Sequence, residues 1–278
     1  MRELGIYTRV FSADFVEILN RIKGLGLTHF HLSPVSAGLA ALPVEIDENK
    51  LNQIKSEIGK SDLKMCGISA TFNMIHPDKR TVEEGIEAFR ALAYISAPLG
   101  NPMLSLCTGS KDPENKWRYH PENDSPKSWI EMCRILEQLL LIAEECNVWL
   151  GIEPERGNVV SDARKARLLL EDMQSSRLGI IFDPANIIES KLDEDIDLLL
   201  TQSMELLADT VKVLHVKDRN HGGKVCAAGK GVINFGALWQ TCLNFHIAPT
   251  LVIHGHAEDE LEGSLEYLRL NLNWNNED

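Results

Sequence analysis

Four side chains able to bind a metal ion stand at regular intervals in the second half of the chain. They are separated by 30, 32 and 39 residues, and one strand-plus-helix unit takes about 30 residues. Because the carboxyl ends of parallel barrel strands share one rim, the four side chains are predicted to meet there. Each directly follows an apolar, strand-like segment: Glu153 after 148–152, Asp183 after 178–182, His215 after 211–214 and His254 after 249–253.

Carboxylate and imidazole groups gathered at one rim favour binding of a divalent metal ion. A mixed set of this kind suits Mn²⁺, Zn²⁺, Co²⁺ or Fe²⁺. A single carboxylate or His at a strand end is more often a helix cap or a solvated loop residue, but four at successive strand ends favour one divalent ion as cofactor (Mn, Zn, Co, Fe or Mg), with Glu153, Asp183, His215 and His254 as its ligands. The sequence leaves the identity of the metal open.

Polar residues beside these strand ends are candidates for catalysis or substrate contact. Glu155 and Arg156 follow the first strand end, and Glu155 reaches the pocket only if the intervening proline redirects the chain. Its alternative is an ion pair with a basic group such as Arg156. Lys217 shares the strand parity of His215 and is predicted to face the barrel interior. There it would act as a catalytic group that polarises a substrate oxygen, or it would neutralise Asp183.

Two predicted rim loops carry side chains suited to binding a small polar ligand. The segment 107–125 has 19 residues, which is long for a barrel connection and typical of a functional lid. It contains Trp117 and His120, an aromatic and an imidazole group fit for stacking and hydroxyl recognition. Asn73 and His76 lie on the loop after the third predicted strand. Packing of the loops themselves is the alternative role for all four residues.

Strand-like and helix-like segments alternate eight times, with no linker or repeat between them. Ser12 is the predicted N-cap of the first helix, and apolar residues at helical spacing mark the segment 126–146. Eight units close a ring, so the predicted fold is α/β, a single (β/α)8 TIM barrel forming one domain over 1–278. The predicted strands are 3–8, 28–33, 63–70, 102–106, 148–152, 178–182, 211–214 and 249–253. The predicted helices are 13–23, 47–58, 81–96, 126–146, 160–172, 193–208, 235–244 and 258–270.

Composition excludes several classes of partner. The formal net charge of −13 argues against nucleic acid or an anionic membrane, since both need basic surfaces. Six cysteines without a CxxC pair are typical of free thiols in a reducing compartment. The start, Met1–Gly5, has no apolar signal core, and no run approaches the roughly 20 apolar residues of a membrane span. We expect a cytoplasmic protein with a small-molecule partner, and the sequence is compatible with a homo-oligomer.

The strand-end motifs resemble the xylose isomerase-like TIM barrel superfamily, also called the sugar phosphate isomerase/epimerase family. The resemblance implies a divalent metal bound by Glu, Asp, His and a second Glu on successive strands. His254 stands where that second Glu is usual, which makes the site less negative and less favourable for Mg²⁺. Asn186 stands where a His is common, at a position expected to contact substrate. The matching segments are Ile152–Glu155, Phe182–Asn186, His215–Asp218 and Gly229–Phe235.

The resemblance implies an isomerase or epimerase of a sugar-like polyol carbonyl compound, acting through an enediolate. Glu153 is expected to be both metal ligand and catalytic base. A metal-bound His254 has its lone pair occupied, so Glu153 is the only clear base at the metal. That favours one-face isomerisation or dehydration over two-base epimerisation. The alternatives are a dehydratase or lyase and a metal- and carbohydrate-binding protein without turnover; a DNA-repair endonuclease of the endonuclease IV type is the weakest candidate.

Other histidines and glycines have less specific interpretations. His29 and His31 share strand parity and are predicted to be interior or rim groups with ordinary hydrogen bonds. His256 is predicted to lie at the surface, and the alternative is a position behind the metal ligands. The segments 222–224 and 229–231 combine glycines with lysines, in the region where barrels often bind phosphate. Short glycine turns are needed there in any case, so phosphate binding is the less favoured reading.

Overall fold

The computed structural model describes residues 3–100, 102–189 and 191–272, and within them eight parallel strands close into a barrel. Met1 and Arg2, at the start of the segment considered for a signal sequence, lie outside these ranges. Each barrel strand pairs with its neighbours along the chain. The first strand closes the ring against the last, with Leu4 opposite Leu251. The predicted (β/α)8 TIM barrel is confirmed.

The barrel strands are short and almost fully buried, as expected of a parallel sheet that is covered by helices. They are β1 (Leu4–Tyr7), β2 (His29–Leu32), β3 (Lys64–Ser69), β4 (Met103–Leu106), β5 (Leu150–Ile152), β6 (Leu178–Phe182), β7 (Val211–Val216) and β10 (Thr250–Ile253). Two further strands, β8 (Asp218–Arg219) and β9 (Val225–Cys226), form a small antiparallel hairpin after β7. The predicted elements did not include this hairpin.

The helices surround the barrel, and neighbouring ones pack together, for example the third against the fourth. They are α1 (Phe15–Gly24), α2 (Glu48–Ser61), α3 (Lys79–Ser96), α4 (Pro126–Cys146), α5 (Ala163–Met173), α6 (Pro184–Ile187), α7 (Ile196–Leu207), α8 (Phe235–Asn244) and α9 (Leu261–Asn271). Short 3-10 turns cover 8–10, 34–37, 97–99, 121–124 and 258–260. No helix in the described ranges is long and apolar enough to cross a membrane.

The start of α1 differs from the sequence prediction. Ser12 was the predicted N-cap, but the cap is Asp14, whose side chain accepts the backbone N–H of Glu17 at 2.9 Å. Both residue types suit a cap. Asp14 takes the position because it directly precedes Phe15, the first residue of the helix face that is buried against the barrel.

A small apolar layer fills the barrel interior. It is formed by Met103, Ile181, Val213 and Val252. The ring of Tyr7 and the thiol of Cys66 pack against it. This layer separates the two mouths of the barrel. The carboxyl-terminal mouth therefore has a closed apolar floor beneath the polar side chains that follow the strands.

Candidate active site at the carboxyl rim of the barrel

Asp183 is at the centre of a buried cluster of charged groups on the rim. It follows β6, and its Oδ1 caps α6 by accepting the backbone N–H of Asn186 at 3.2 Å. Its Oδ2 lies 2.6 Å from Nζ of Lys217 and 3.2 Å from Nδ1 of His215. Those two residues come from the end of β7 and the position just after it. The helix cap and the two basic groups together fix the orientation of this carboxylate.

Glu153 joins the cluster from the end of β5. Its backbone N–H donates to the carbonyl of Leu106 at 2.9 Å, so the strand pairing continues one residue beyond Ile152. Its Oε1 lies 3.3 Å from Nδ1 of His215 and accepts the side-chain N–H of Asn186 at 2.9 Å. Two of the four predicted ligands, Glu153 and Asp183, thus contact a third, His215.

His254 completes the cluster from the end of β10. Its ring stacks on that of His215, with centroids 4.8 Å apart and planes inclined by 14°. Tyr7 packs on it with a centroid separation of 5.0 Å. Burial, followed by the positive charges of His215 and Lys217, lowers the pKa of His254 well below its usual value. Its imidazole is therefore neutral, and its buried Nδ1 has no hydrogen-bond partner among the described residues.

The charges of the cluster are matched in pairs. Burial opposes ionisation of Asp183, but the ammonium group of Lys217 and the imidazole of His215 hold its pKa well below the usual range. Burial also opposes protonation of His215, yet the carboxylates of Glu153 and Asp183 raise its pKa to about 9. The same carboxylates overcome burial and raise the pKa of Lys217 above its usual value. Two cations therefore face two carboxylates.

These residues fit a divalent metal ion. Possible ligand atoms of Asp183, His215 and His254 all lie within 4.8 Å of one another, and Glu153 contacts the same nitrogen of His215 as Asp183 does. His254 adds a neutral imidazole, the protonation state that binds metals, whereas His215 would have to release its proton when the ion binds. Two carboxylates and two imidazoles are a donor set used for Zn²⁺, Mn²⁺, Fe²⁺ and Co²⁺. The complete four-residue ligand set stays a prediction.

The cluster opens into a cavity of about 580 Å³, a volume in the range of small-molecule sites. Its wall combines carboxylate, imidazole and hydroxyl groups with two basic side chains. Predicted site residues in the wall are Trp117, Glu153, Glu155, His215 and His254. The remaining described wall residues are Tyr7, Arg9, His31, Ser33, Pro34, Val35, Ala41, Leu42, Ser69, Thr71, Ser105 and Lys116.

Glu155 reaches the cavity because the chain turns sharply after Pro154. The backbone N–H of Glu155 donates to the carbonyl of Val160 at 3.1 Å, and the N–H of Asn158 donates to the carbonyl of Glu155 at 2.8 Å. Burial and the nearby carboxylate of Glu153 raise the pKa of Glu155 well above its usual value. The cavity thus holds a second carboxylate that favours its protonated form. Arg156, next in the chain, is exposed and lies outside the described wall.

The same turn fixes the loop that carries Trp117. Gly157 approaches this loop so closely that an added Cβ would lie 2.0 Å from the carbonyl oxygen of Trp117. The side chain of Asn158 donates to the carbonyl of Lys116 at 2.7 Å and accepts the N–H of Gly109 at 2.7 Å. Only a glycine fits at position 157. The indole of Trp117 is 47% exposed and lies at the mouth of the cavity.

Besides Arg156, four predicted substrate contacts lie outside the cavity wall as far as the described residues define it: Asn73, His76, His120 and Asn186. Each has a local structural partner instead. Asn73 donates to the carbonyl of Ser110 at 2.7 Å, and Nε2 of His76 lies 3.0 Å from the carbonyl of Pro113. Nδ1 of His120 accepts a backbone N–H and caps a 3-10 turn. The contacts of Asn73 and His76 join one rim loop to another, whereas the contact of His120 lies within its own loop.

His31 is a wall residue for which the sequence predicted only ordinary hydrogen bonds. Its Nε2 pairs with Oγ of Ser105 at 3.0 Å, but its Nδ1 is buried without a partner among the described residues. A register shift between Phe30 and His31 redirects the ring. Gly67 makes room for it, since an added Cβ there would lie 2.8 Å from the imidazole. Two features of the sequence could have indicated that His31 faces the interior: the alternating histidines of β2 and the glycine at position 67 of β3.

The predicted surface position of His256 is wrong. The residue is buried, and its Nε2 accepts the backbone N–H of Ala228 at 3.0 Å. Its Nδ1 lies 2.8 Å from the carbonyl of His254. His256 therefore joins the segment after β10 to the glycine-rich segment after the hairpin, a contact between residues distant in sequence.

Asp218 uses the backbone N–H groups that a phosphate would need. Its buried carboxylate accepts them from Arg219 at 2.8 Å, Gly229 at 3.2 Å, Gly231 at 3.0 Å and Ile233 at 3.1 Å. A Cβ added at Gly231 would lie 2.2 Å from Oδ1. The segment 229–231 therefore folds around an internal carboxylate, which contradicts the interpretation of this segment as a phosphate site.

Replacing Asp218 by asparagine is expected to destabilise the protein. An amide nitrogen would face backbone N–H donors, and each buried donor left unsatisfied costs about 1–3 kcal/mol. Urea unfolding should show the loss as a lower midpoint with an unchanged slope. Asp209→Asn is a matched control, because Asp209 is exposed and forms an ion pair with Arg167 at the surface. An Asp218→Asn midpoint equal to that of the control would contradict the proposed carboxylate-centred turn.

Comparison with known families agrees with this architecture. The family model of the xylose isomerase-like TIM barrel matches residues 19–269. The chain belongs to this family. The comparison of this chain with curated proteins found no match. The match extends over nearly all of the described barrel, including the ends of β5, β6, β7 and β10 that bring the charged cluster together.

Solved structures share the fold at low sequence identity. The 3-keto-D-glucoside 4-epimerase YcjR from E. coli superposes with a TM-score of 0.76 at 15% identity, covering 98% of this chain and 100% of that one. An L-ribulose 3-epimerase has a TM-score of 0.73 at 16% identity, with 99% and 95% covered. A xylose isomerase-like protein from Mycobacterium smegmatis, solved in complex with magnesium, has a TM-score of 0.73 at 12% identity, with 98% and 96% covered. At these identities the likeness establishes the fold alone.

Proposed function

We propose that this protein is a divalent-metal-dependent isomerase or epimerase of a sugar or sugar-like polyol carbonyl compound. The observation that carries the proposal is the carboxylate of Glu153, held between His215 and Asn186 at the wall of the cavity. Hydroxyl groups of the wall suit a polyol. The sugar epimerases among the structural neighbours, acting on carbonyl-containing sugars by name, support the same class.

In this proposal Glu153 is the base that removes a proton from the carbon beside the substrate carbonyl. The C–H electron pair forms a carbon–carbon double bond while the carbonyl π pair moves onto its oxygen, which gives an enediolate. The same carboxyl group then returns the proton to the former carbonyl carbon, and the hydroxyl proton moves to the first oxygen so that the neighbouring carbon becomes the new carbonyl. Asn186 holds Glu153 in place through its side-chain N–H. A divalent ion held by Glu153, Asp183, His215 and His254 would supply positive charge that stabilises negative charge on adjacent substrate oxygens.

Placement of the two cavity carboxylates favours transfer on one face. Glu153 and Glu155 both follow β5, so they approach the cavity from the same side of the barrel. Epimerisation by two bases requires groups on opposite faces of a planar enediolate. Glu155 is therefore better placed to exchange a proton with a substrate oxygen than to act as a second base on the opposite face. Aldose–ketose isomerisation is therefore favoured within the proposed class.

A dehydratase is the second candidate, and the position of Glu155 is the observation that favours it. Elimination of water needs a base for the carbon-bound proton and an acid for the departing hydroxyl group. Glu153 and Glu155 are two carboxyl groups at the end of one strand, facing one cavity. In an elimination Glu153 would take the proton while Glu155 would protonate the hydroxyl that leaves as water.

Deuterium uptake from solvent tests the proposal. The protein, loaded in turn with Mn²⁺, Zn²⁺, Co²⁺ or Mg²⁺, would be incubated in D₂O with a panel of aldoses, ketoses and inositol derivatives, and followed by NMR. Carbon-bound deuterium together with an aldose–ketose pair supports the isomerase, and a deoxy-carbonyl product identifies the dehydratase. Metal-stripped protein is the control. Saturable sugar binding without any deuterium uptake would contradict turnover and identify a binding protein.

Replacing Trp117 by alanine is expected to raise KM severalfold with little change in Tm. The indole lies at the cavity mouth and is 47% exposed, so its loss removes a stacking surface for the sugar but little of the buried core. Steady-state kinetics and thermal melts measure the two effects. Trp149→Ala is the matched control, because Trp149 is a partly exposed indole that lines the opposite, amino-terminal mouth. An unchanged KM with a large fall in Tm would indicate loop packing.

A further inference from the structure

Lys217 contacts the charged cluster on the side that faces away from the cavity. Its ammonium group lies 2.6 Å from Oδ2 of Asp183 and donates to Oδ1 of Asn186 at 2.8 Å. The residue is almost completely buried, and it is not part of the cavity wall as the described residues define it. A substrate in the cavity therefore meets Glu153 and His215, whereas Lys217 acts on the groups that support them.

The two neighbours of Asn186 determine which way its amide faces. The ammonium group of Lys217 has only donors, so the amide oxygen must point toward it. Oε1 of Glu153 accepts a hydrogen bond on the other side, so the amide N–H₂ must point toward that oxygen. The observed contacts follow this rule, with Nδ2 of Asn186 2.9 Å from Oε1 of Glu153. Lys217, Asn186 and Glu153 thus form a directed chain from a buried cation to the cavity.

The backbone provides space for this lysine. Gly255, directly after His254, has a φ of +72° and no side chain. A Cβ added there would lie 2.8 Å from Cδ and 3.0 Å from Cγ of Lys217. The stem of Lys217 therefore passes through a gap that depends on a glycine. Its ammonium group is placed by the packing of its stem as well as by the carboxylate of Asp183.

We propose that Lys217 is a positioning residue: it holds the amide of Asn186 so that the N–H₂ group faces Glu153 and fixes the proposed base at the cavity wall. The structural part of this inference stands on the contacts alone, whereas its catalytic consequence rests on the proposed function. Lys217 contacts neither substrate nor reacting atoms in this role. Residues that support groups at a catalytic site typically contribute about 10–100-fold to activity.

Crystal structures of Lys217→Met, Asn186→Asp and the wild type test the structural part without a substrate. Methionine keeps the length of the stem but removes the donors, so the amide of Asn186 should turn and lose its contact with Glu153. In Asn186→Asp the new carboxylate keeps the ion pair with Lys217 but repels Glu153, which should leave its observed position. Lys212→Met is the matched control on β7, because Lys212 is exposed and lies over Trp149. An Asn186 amide still bonded to Glu153 in Lys217→Met would overturn the proposal.

Kinetics test the catalytic part once deuterium uptake has identified a substrate. Lys217→Met and Asn186→Asp should each lower kcat about 10–100-fold with KM nearly unchanged, and their losses should not multiply in the double variant, since both act through one contact. Lys217→Arg, which keeps donors and charge, should recover part of the loss. Multiplying losses, or a full kcat in Asn186→Asp, would overturn the proposal. A panel without turnover would refute the proposed function while leaving the crystallographic result to decide the positioning role.

Discussion

Replacing Glu153 by glutamine is expected to lower turnover by roughly 10²–10⁴-fold, the usual contribution of a positioned acid–base group. Glutamine has nearly the same shape and keeps one oxygen toward His215 and Asn186, so the barrel should stay folded. It lacks the negative charge and cannot take a proton from carbon. The measurement is kcat, together with deuterium uptake, for protein that has been saturated with metal.

The control for this substitution is Glu144→Gln, which makes the same chemical change on the exposed face of α4. Thermal melts and metal content of both variants separate loss of the base from loss of structure. Full turnover in folded, metal-loaded Glu153→Gln would remove Glu153 from the role of base. C2 or C3 epimers as the main product of the wild type, with solvent deuterium at the inverted carbon, would contradict transfer on one face.

Removing a predicted metal ligand is expected to abolish retention of the metal. Wild-type protein should keep one divalent ion per chain through dialysis, whereas His215→Ala and Asp183→Ala should lose it, because each removes a group at the centre of the cluster. Elemental analysis after gel filtration measures the metal content. His29→Ala is a suitable control, since His29 is a buried imidazole that lines the opposite mouth of the barrel.

The two ligand variants differ in their expected stability. Asp183→Ala leaves the ammonium group of Lys217 buried without its carboxylate, and breaking a buried pair in this way costs about 3–5 kcal/mol. His215→Ala leaves no unpaired cation and is the cleaner test of metal binding. Chemical unfolding should therefore show a lower free energy of unfolding for Asp183→Ala than for His215→Ala. Full metal retention in both folded variants would reject the predicted site.

The fold was predictable because barrel strands and helices are marked by local patterns. Apolar runs, helical spacing and the strand-end residues located the eight units, and the predicted bounds of α4 and α8 agree with the structure. The convergence of Glu153, Asp183, His215 and His254 followed from the geometry of parallel strands, whose carboxyl ends share one rim. Neither result required knowledge of contacts between distant loops.

The loops were not predictable because their side chains pair with residues far away in sequence. His76 contacts the carbonyl of Pro113, and His256 accepts the backbone N–H of Ala228. Polar character alone therefore could not distinguish the residues that support the loops from those that line the cavity. The entry of Glu155 into the cavity depends on hydrogen bonds across a turn that extends to Val160. The hairpin after β7 has strands of two residues, too short for any periodic pattern.

Pairing of β1 with β10 has a consequence for the order in which the site assembles during folding. His254 follows β10, the last strand of the ring, while Tyr7, which packs against it, ends the first. Contacts between such distant segments form late, because the entropy of closing a long loop opposes them. A nascent or partly refolded chain can bring Glu153, Asp183 and His215 together before the ring is closed. His254 can join them through the pairing of β10 with β7, so the contact of Tyr7 with His254 would report the final closure of the barrel, and activity that depends on this contact should recover in step with that event.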